Sequence, residues 1–264
     1  MNKMKKIGLT ALAASLVSVS ANAVDISGGS SLTYAGGNDG VAGNPWSMND
    51  SLTFSWGGEL DNGFTVDMSF LLDNSDGAAS QIFDNRTLAI GMGDAGTLTF
   101  WGQAGSGVVG SFDDRTPNAY EESWNGADSP NQGHSTSNMF YYTNALDAVT
   151  LHASYTPAGT SNHDASAELG LVVTAIDNLE LYGAVGTDNG SSSEVDNQIF
   201  GAKFTMGNAT IGVQQNSADS AAANGDEDFL AWGISYAVSE DISVSYNSSQ
   251  LDYETASIDD QEAT

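Results

Sequence analysis

The chain has 264 residues with 34 acidic against six basic side chains, and its formal net charge is −28. This balance excludes a nucleic-acid partner, because phosphate contacts need Lys and Arg. It favours the attraction of cations, or reflects adaptation to a salty habitat. Cysteine is absent, which excludes disulfides and Cys-based metal sites.

The first 23 residues are predicted to be a secretory signal segment. Three lysines precede an apolar run at residues 7–19, which is shorter than the roughly 20 residues of a membrane helix. Ala21 and Ala23 then give the small-x-small pattern of a cleavage site. A retained N-terminal anchor is the alternative. We take residues 24–264 as a single mature domain, with three basic residues left against all the acids.

A hairpin is predicted over residues 48–72, where apolar and polar side chains alternate. Successive side chains of a strand point to opposite faces, so the alternation gives one apolar and one polar face. Residues 61–63 read Asp-Asn-Gly, which suits a tight turn. The apolar positions are Met48, Leu52, Phe54, Trp56, Leu60, Phe64, Val66, Met68, Phe70 and Leu72.

The same alternation recurs along the chain and predicts about 13 strands. Short turns alternate with longer, acidic or glycine-rich connections, one of which spans 215–228. The short turns lie at 61–63, 93–96, 144–148, 176–178, 207–208 and 237–241. Short turns at one end and long loops at the other are typical of an outer-membrane β-barrel. The final residues, SIDDQEAT, read as the start of another external loop. We therefore expect a sixteen-strand type lacking about three strands; a complete smaller barrel is the alternative.

One long connection, residues 102–138, has no strand or helix periodicity. A structureless run of this length inside a compact domain is usually functional. We expect it to fold into the lumen of the barrel and to narrow the pore.

Three stretches carry a family resemblance: FDNRTLAIGMGDAGTLTFWGQAG at 83–105, TPNAYEESWNG at 116–126 and FYYTNALDAVTLHASYTPAG at 140–159. Their order and spacing resemble the general porins of Gram-negative bacteria, in particular the trimeric alphaproteobacterial type. The resemblance implies sixteen antiparallel strands, a homotrimer in the outer membrane, and passive diffusion of small hydrophilic solutes.

The resemblance also implies that acids on the inward loop face arginines on the barrel wall. The candidate constriction residues here are Asp113, Asp114, Arg115, Glu121, Glu122 and Asp128. Arg115 either pairs with these acids or is exposed. The candidate wall residues, on the lumen parity, are Asp67, His152, Glu168, Glu180 and Lys203. Arg86 falls on the lipid parity, which suggests the rim or a bulge, so the pore should be more uniformly negative than in the family.

The favoured function is a non-specific diffusion porin that prefers cations, since clusters of carboxylates in a pore favour them. A substrate-selective porin and a barrel adhesin are the alternatives. No enzyme is expected, because no Gly-x-Ser-x-Gly motif occurs. No cofactor is expected, apart from calcium at the weak candidates Asp226, Glu227 and Asp228. Lipid, lipopolysaccharide, cations and small solutes are the other expected partners.

Overall fold

The computed structural model describes residues 24–34, 46–73, 83–113, 115–119, 135–159, 164–189, 194–222, 225–255 and 261–263. Within these ranges the chain is built of antiparallel strands joined by turns. None of the helices in the described part is long and apolar enough to cross a membrane. The chain divides into two compact units, Met1–Ala104 and Gly105–Thr264.

Unit 1 contains five strands among its described residues, and each pairs with the next. They are β1 Asp25–Tyr34, β2 Trp46–Glu59, β3 Thr65–Asp73, β4 Asn85–Gly91 and β5 Thr97–Gln103. The predicted hairpin is confirmed as β2 and β3. Its turn is stabilised by the Phe64 N–H, which donates to Asn62 Oδ1 at 3.1 Å, and by Gly63 at a φ of 81°. The β4–β5 register shifts between Arg86 and Thr87, which leaves Gly102 of β5 as a bulge beside Arg86.

Unit 2 contains a short separate pair, β6 Gly105–Ser106 and β7 Ser135–Thr136. The remaining strands follow one another as sheet neighbours. They are β8 Met139–Leu146, β9 Val149–Thr156, β10 Ser166–Ile176, β11 Leu179–Asp188, β12 Val195–Met206, β13 Ala209–Ser220, β14 Glu227–Ala237, β15 Ser243–Tyr253 and β16 Gln261–Ala263.

In a soluble protein a sheet buries its apolar face and exposes its polar face, whereas the unit 2 sheet does the reverse. Large apolar side chains are exposed on one face, among them Leu169, Leu181, Phe200, Ile211 and Trp232. The other face buries polar side chains, among them Ser154, Glu168, Gln214, Asn216 and Asn247. An exposed apolar surface of this extent needs a non-aqueous environment or a partner.

The thirteen predicted strands correspond to β1–β5 and β8–β15, but two predicted loops are wrong in part. The connection predicted at 215–228 is shorter, because β13 continues to Ser220 and β14 begins at Glu227. Apolar alternation fades before the strand ends, yet backbone pairing continues, since it needs no apolar side chain. Within the segment predicted as a final external loop, Gln261–Ala263 instead pairs with β15.

Candidate functional site

A segment formed by residues 107–113 and 115–119 lies across the polar face of the unit 2 sheet. We call it the inward segment. The β6–β7 pair joins its base, with Gly105 opposite Thr136. Its side chains and backbone then contact β9, β10, β11, β13 and β15 in turn. The unpatterned stretch predicted to fold inward therefore covers the polar face, as far as it is described.

Apolar packing holds the first half of the inward segment. Val108, Val109 and Phe112 are fully buried in one cluster with side chains of the polar face, namely Tyr182, Ala184 and Ile199. Gly170 makes the close approach possible. A Cβ at that position would lie 2.5 Å from Val108 Cγ1 and 3.1 Å from Phe112 Cε2, so a larger residue there would displace the segment.

Glu168 binds the backbone of the inward segment. The Val109 N–H donates to Glu168 Oε2 at 3.0 Å, and the Ser154 hydroxyl donates to the same oxygen at 3.2 Å. The Val108 N–H in turn donates to Ser154 Oγ at 3.2 Å. With 4% of its surface exposed, Glu168 is covered by the segment rather than lining a wall in contact with solvent. Hydrogen bonds to a charged acceptor are among the stronger ones.

His152 supports the turn at residues 108–112 of the inward segment, through hydrogen bonds that involve Tyr141 and Ser111. The Ser111 hydroxyl has one proton, which it donates to the Val108 carbonyl at 2.8 Å. The 2.9 Å contact between Ser111 Oγ and Tyr141 OH then requires the tyrosine to donate. Tyr141 must therefore accept from His152 Nδ1–H across 3.1 Å. The geometry selects the Nδ1-protonated tautomer and leaves Nε2 outside this chain of bonds.

Arg115 joins the second half of the inward segment to the wall. Arg115 Nη1 donates to Glu180 Oε1 at 3.1 Å. Its guanidinium carbon lies 4.3 Å from the centroid of the Phe112 ring and 5.2 Å from that of Tyr182. The cation is thus held by aromatic faces as well as by a carboxylate. Among the described residues its carboxylate partner is Glu180 of β11. The predicted partners Asp114, Glu121, Glu122 and Asp128 lie outside the described residues, so that pairing stays a prediction.

Lys203 shares the same carboxylate. Its Nζ lies 3.1 Å from Glu180 Oε1, the oxygen that also binds Arg115. The two strands place them together, since Glu180 and Lys203 are direct cross-strand partners in β11 and β12. One carboxylate therefore contacts two cations, and Glu180 and Lys203 lie on the same, polar face of the sheet.

Polar side chains from the later strands bind the end of the inward segment. Gln214 Nε2 donates to the Asp113 carbonyl at 2.5 Å, and Asn247 Nδ2 donates to the Pro117 carbonyl at 2.7 Å. The Ala119 N–H donates to Ser245 Oγ at 2.9 Å. These bonds fix the path of the backbone from β13 to β15. Pro117 lies over Gly212 and Gly233, where added Cβ atoms would meet it at 2.6 and 2.5 Å.

Only some of the remaining predicted site residues lie within the described ranges, and they lie in different parts of the chain. Asp113 lies in the inward segment with 6% of its surface exposed. Asp67 lies in unit 1 on β3, opposite Gly57 of β2. The other predicted constriction acids fall outside the described residues: Asp114, Glu121, Glu122 and Asp128.

The three weak calcium candidates do not form one ligand cluster. Asp226 Oδ1 accepts the Ser220 N–H at 2.9 Å, while Glu227 and Asp228 are the first residues of β14. In the described ranges no group of three His, Cys, Asp or Glu side chains could hold a metal ion. Calcium at this position stays a prediction.

Several residues that hold the inward segment were not identified from the sequence. They are Val108, Val109, Phe112, Pro117, Gln214 and Asn247. One signal was available: Gly170, Gly212 and Gly233 lie on the covered parity of β10, β13 and β14. Small residues at such positions on successive strands leave room for a chain segment against the sheet.

Known proteins resemble this chain mainly in structure. No protein of curated function matches it significantly in sequence. Its structure is similar to an OmpT loop L8 deletion mutant, an outer-membrane protein of Vibrio cholerae, with 15% identity, 91% of this chain and 85% of that chain covered, and a TM-score of 0.64.

Two further solved structures share the fold. A mutant of the Rh. blastica porin has 15% identity, covers 90% of this chain and 87% of its own, and has a TM-score of 0.61. Salmonella typhi OmpF in complex with daunomycin has 13% identity, covers 87% and 78% respectively, and has a TM-score of 0.60. At these identities the likeness shows the fold alone. The sequence itself matches the Gram-negative porin family over residues 8–264, and the chain therefore belongs to that family of outer-membrane channels.

Proposed function

We propose that the protein is a general diffusion porin that prefers cations, with the inward segment narrowing its pore. The observation that supports the preference for cations is the balance of negative and positive side chains at this site. Among the described residues of the site, three carboxylates, Asp113, Glu168 and Glu180, accompany two cations, and both cations contact Glu180. The positive groups are thus compensated locally, so they oppose passing cations weakly.

The composition of the rest of the chain also supports a preference for cations. Outside residues 1–23 the chain has three basic residues, Arg86, Arg115 and Lys203, against 34 acids. A pore wall drawn from such a composition presents a negative potential to solutes, and carboxylates in a pore favour cations. The contacts of the inward segment support its role as a fixed feature of the pore, since packing, hydrogen bonds and an ion pair all hold it.

We further propose that the protein works as a homotrimer embedded among outer-membrane lipid and lipopolysaccharide. The Vibrio cholerae OmpT that shares the fold is described in a trimer form. The large exposed apolar side chains of the sheet suit lipid or a neighbouring copy.

Planar-bilayer recording tests the proposal. The purified protein should give stable conductance steps, and a salt gradient should give a zero-current potential of the sign for cation preference. Absence of steps from folded, inserted protein would overturn the channel. A zero-current potential of the anion sign would overturn the cation preference while leaving the channel intact.

A substrate-selective porin would give a different result in the same preparation. For a general diffusion pore, the rate of liposome swelling with a panel of neutral sugars of graded size should depend only on the size of the sugar. A single sugar that permeates far faster than its size predicts would favour the selective alternative instead.

A further inference from the structure

The apolar face of the unit 2 sheet contains a groove that follows strand β11. Its floor is at Gly183, which has no side chain and is the cross-strand partner of Leu171 in β10 and of Phe200 in β12. A Cβ at this glycine would lie 2.7 Å from Phe200 Cδ1, so the phenylalanine ring forms one side of the groove. The volume of the groove is about 360 Å³. Its walls are apolar side chains: Leu169, Leu171, Val173, Leu181, Val185 and Phe200.

The groove continues into a polar pocket towards the end of β11. Val185 lines both, and the pocket, of about 300 Å³, extends to Thr187. Three further lining side chains carry acceptor oxygens, namely Asp196 and Gln198 of β12 and Asp219 of β13. Asp196 is the direct cross-strand partner of both Thr187 and Asp219. An apolar groove and an acidic pocket are therefore continuous on one face of the sheet.

Each of the three acceptor side chains in the pocket has a free oxygen. Thr187 Oγ1 donates to Asp196 Oδ1 at 2.6 Å, which leaves Asp196 Oδ2 available. Gln198 Nε2 donates to Ser217 Oγ at 2.6 Å, which leaves Gln198 Oε1 available. Within the described residues the Asp219 carboxylate makes no hydrogen bond or ion pair. The pocket thus presents acceptors to a ligand that donates.

The charge of the pocket favours a cationic ligand. Two carboxylates that lie directly opposite each other on neighbouring strands repel. In the described ranges neither has a basic partner, since Arg115 and Lys203 pair with Glu180 on the polar face. A calcium ion takes about six to eight oxygen ligands, more than two carboxylates and an amide supply. A primary ammonium has about three N–H donors, one for each acceptor side chain.

The length of the groove suits an acyl chain. The stretch from Leu181 to Thr187 is roughly 20 Å long at about 3.3 Å per residue. Strands of membrane barrels tilt by roughly 40°, so this stretch covers about 15 Å of membrane depth. That depth is half of a hydrocarbon core of about 30 Å. A lipid of one leaflet can therefore fill the groove with its chain and reach the pocket with its headgroup.

We propose that this face of β10–β12 binds a membrane lipid with a primary ammonium headgroup. The ammonium donates to Asp196, Gln198 and Asp219, and one acyl chain lies in the groove beside Gly183. The apolar walls accept the chain of any lipid, whereas the pocket discriminates between headgroups by charge and by hydrogen bonding. The inference rests on the proposed association with outer-membrane lipid, which it deepens by naming the headgroup and its site.

Native mass spectrometry of the purified protein in detergent tests the headgroup. Phosphatidylethanolamine, phosphatidylcholine and phosphatidylglycerol with identical acyl chains would be added in turn. Phosphatidylethanolamine should bind several-fold more tightly, because the quaternary ammonium of phosphatidylcholine has no N–H and phosphatidylglycerol has no ammonium. Equal binding of the three lipids would overturn the proposal. Tighter binding of phosphatidylglycerol that EDTA abolishes would also overturn it, since a metal ion would then bridge the lipid phosphate to the carboxylates.

Variants separate this pocket from surface charge in general. D196N/D219N should abolish the preference for phosphatidylethanolamine and leave weaker, equal binding of the three lipids. D228N/D252N is the matched control: Asp228 and Asp252 are also direct cross-strand partners on this face, but they line neither the groove nor the pocket. The control should keep the preference. Equal losses in the two double variants would contradict the proposal, and so would dissociation of the trimer by D196N/D219N, because the face would then lie between copies.

Filling the groove tests the position of the acyl chain. G183L places a side chain on the floor of the groove and should weaken the binding of all three lipids. V185W adds bulk where the groove meets the pocket and should give the same result, even if G183L does not fold. Unchanged lipid binding by folded V185W would overturn the proposal. Planar-bilayer conductance of the same samples reports the channel separately: a conducting protein without headgroup preference contradicts this inference alone, whereas folded, inserted protein without conductance contradicts the proposed porin function.

Discussion

The carboxylate of Glu180 lies 3.1 Å from the guanidinium of Arg115, which joins the inward segment to strand β11 of the wall. The same oxygen also lies 3.1 Å from Lys203 Nζ. Glu180 therefore has two roles in the site. It positions the inward segment, and its negative charge compensates the positive charges of two of the few basic residues of the chain. The charge that passing ions experience should therefore depend more on Glu180 than on either base.

Replacing Glu180 by glutamine should weaken cation preference. The substitution keeps the size of the side chain but removes the negative charge that Arg115 and Lys203 share. A unit charge about 4 Å from an ion changes its energy by roughly 1 kcal/mol in a water-like medium, so a several-fold fall in the cation-to-anion permeability ratio is expected. Zero-current potentials measure this ratio. Asp177→Asn, at an exposed β-turn, is the control and should leave the ratio unchanged.

Lys203→Gln should have the opposite effect. It removes one of the two cations at Glu180 and leaves Arg115 to pair with the carboxylate. The cation-to-anion permeability ratio should rise in the same zero-current measurement. Equal shifts of the same sign for E180Q and K203Q would contradict the interpretation, because a purely structural disturbance would not follow the sign of the charge removed.

Gly170→Val should displace the inward segment. The added side chain would meet Val108 and Phe112, which pack directly over this glycine. Overpacking of this kind costs about 1–3 kcal/mol, and we expect a larger single-channel conductance together with a lower melting temperature. Gly29→Ala is the control: its Cβ would lie 3.6 Å from Ser51 Oγ, an ordinary contact. A G170V channel that melts lower but conducts as the parent does would show that the segment does not narrow the pore.

Glu168→Ala should loosen the turn of the inward segment. It leaves the buried Val109 N–H without its acceptor, and an unsatisfied buried donor costs about 1–3 kcal/mol. More frequent current fluctuations in the open channel are expected. Glu168→Gln retains an acceptor oxygen at the same reach and should behave nearly as the parent. If E168A and E168Q were equally noisy, the negative charge rather than the hydrogen bond would be responsible.

The strands could be predicted from the sequence because alternation is a local signal. Met48 to Leu72 shows one parity throughout, and the hairpin follows from it. Strand ends were less accurate, as β13 shows, since its pairing continues through Gln215 and Ser217 after apolar alternation has stopped. Polar side chains at the outer end of a strand carry no periodic signal that separates them from a loop.

For the described part of residues 102–138, the inward path could be predicted from the length of this connection and from its place among the long connections. The anchors could not be predicted, because each depends on a pairing of distant residues. Gln214 reaches the Asp113 carbonyl across 101 positions, and Asn247 reaches that of Pro117 across 130. Periodicity places a residue on a face but does not say which chain segment covers it. Glu168 shows the consequence, since its predicted parity does not reveal that the segment buries it.

The most direct test of the inward segment as the narrow part of a cation-preferring pore is thiol modification at its exposed end. Ala119→Cys would be the sole cysteine of the chain, at an exposed position held by the bond from its N–H to Ser245. During a bilayer recording, a positively charged methanethiosulfonate reagent should lower the conductance in discrete steps and reduce cation preference, and a negatively charged reagent should lower the conductance without reducing that preference. Complete modification, verified by mass spectrometry, with no change in conductance or in zero-current potential would contradict the central claim.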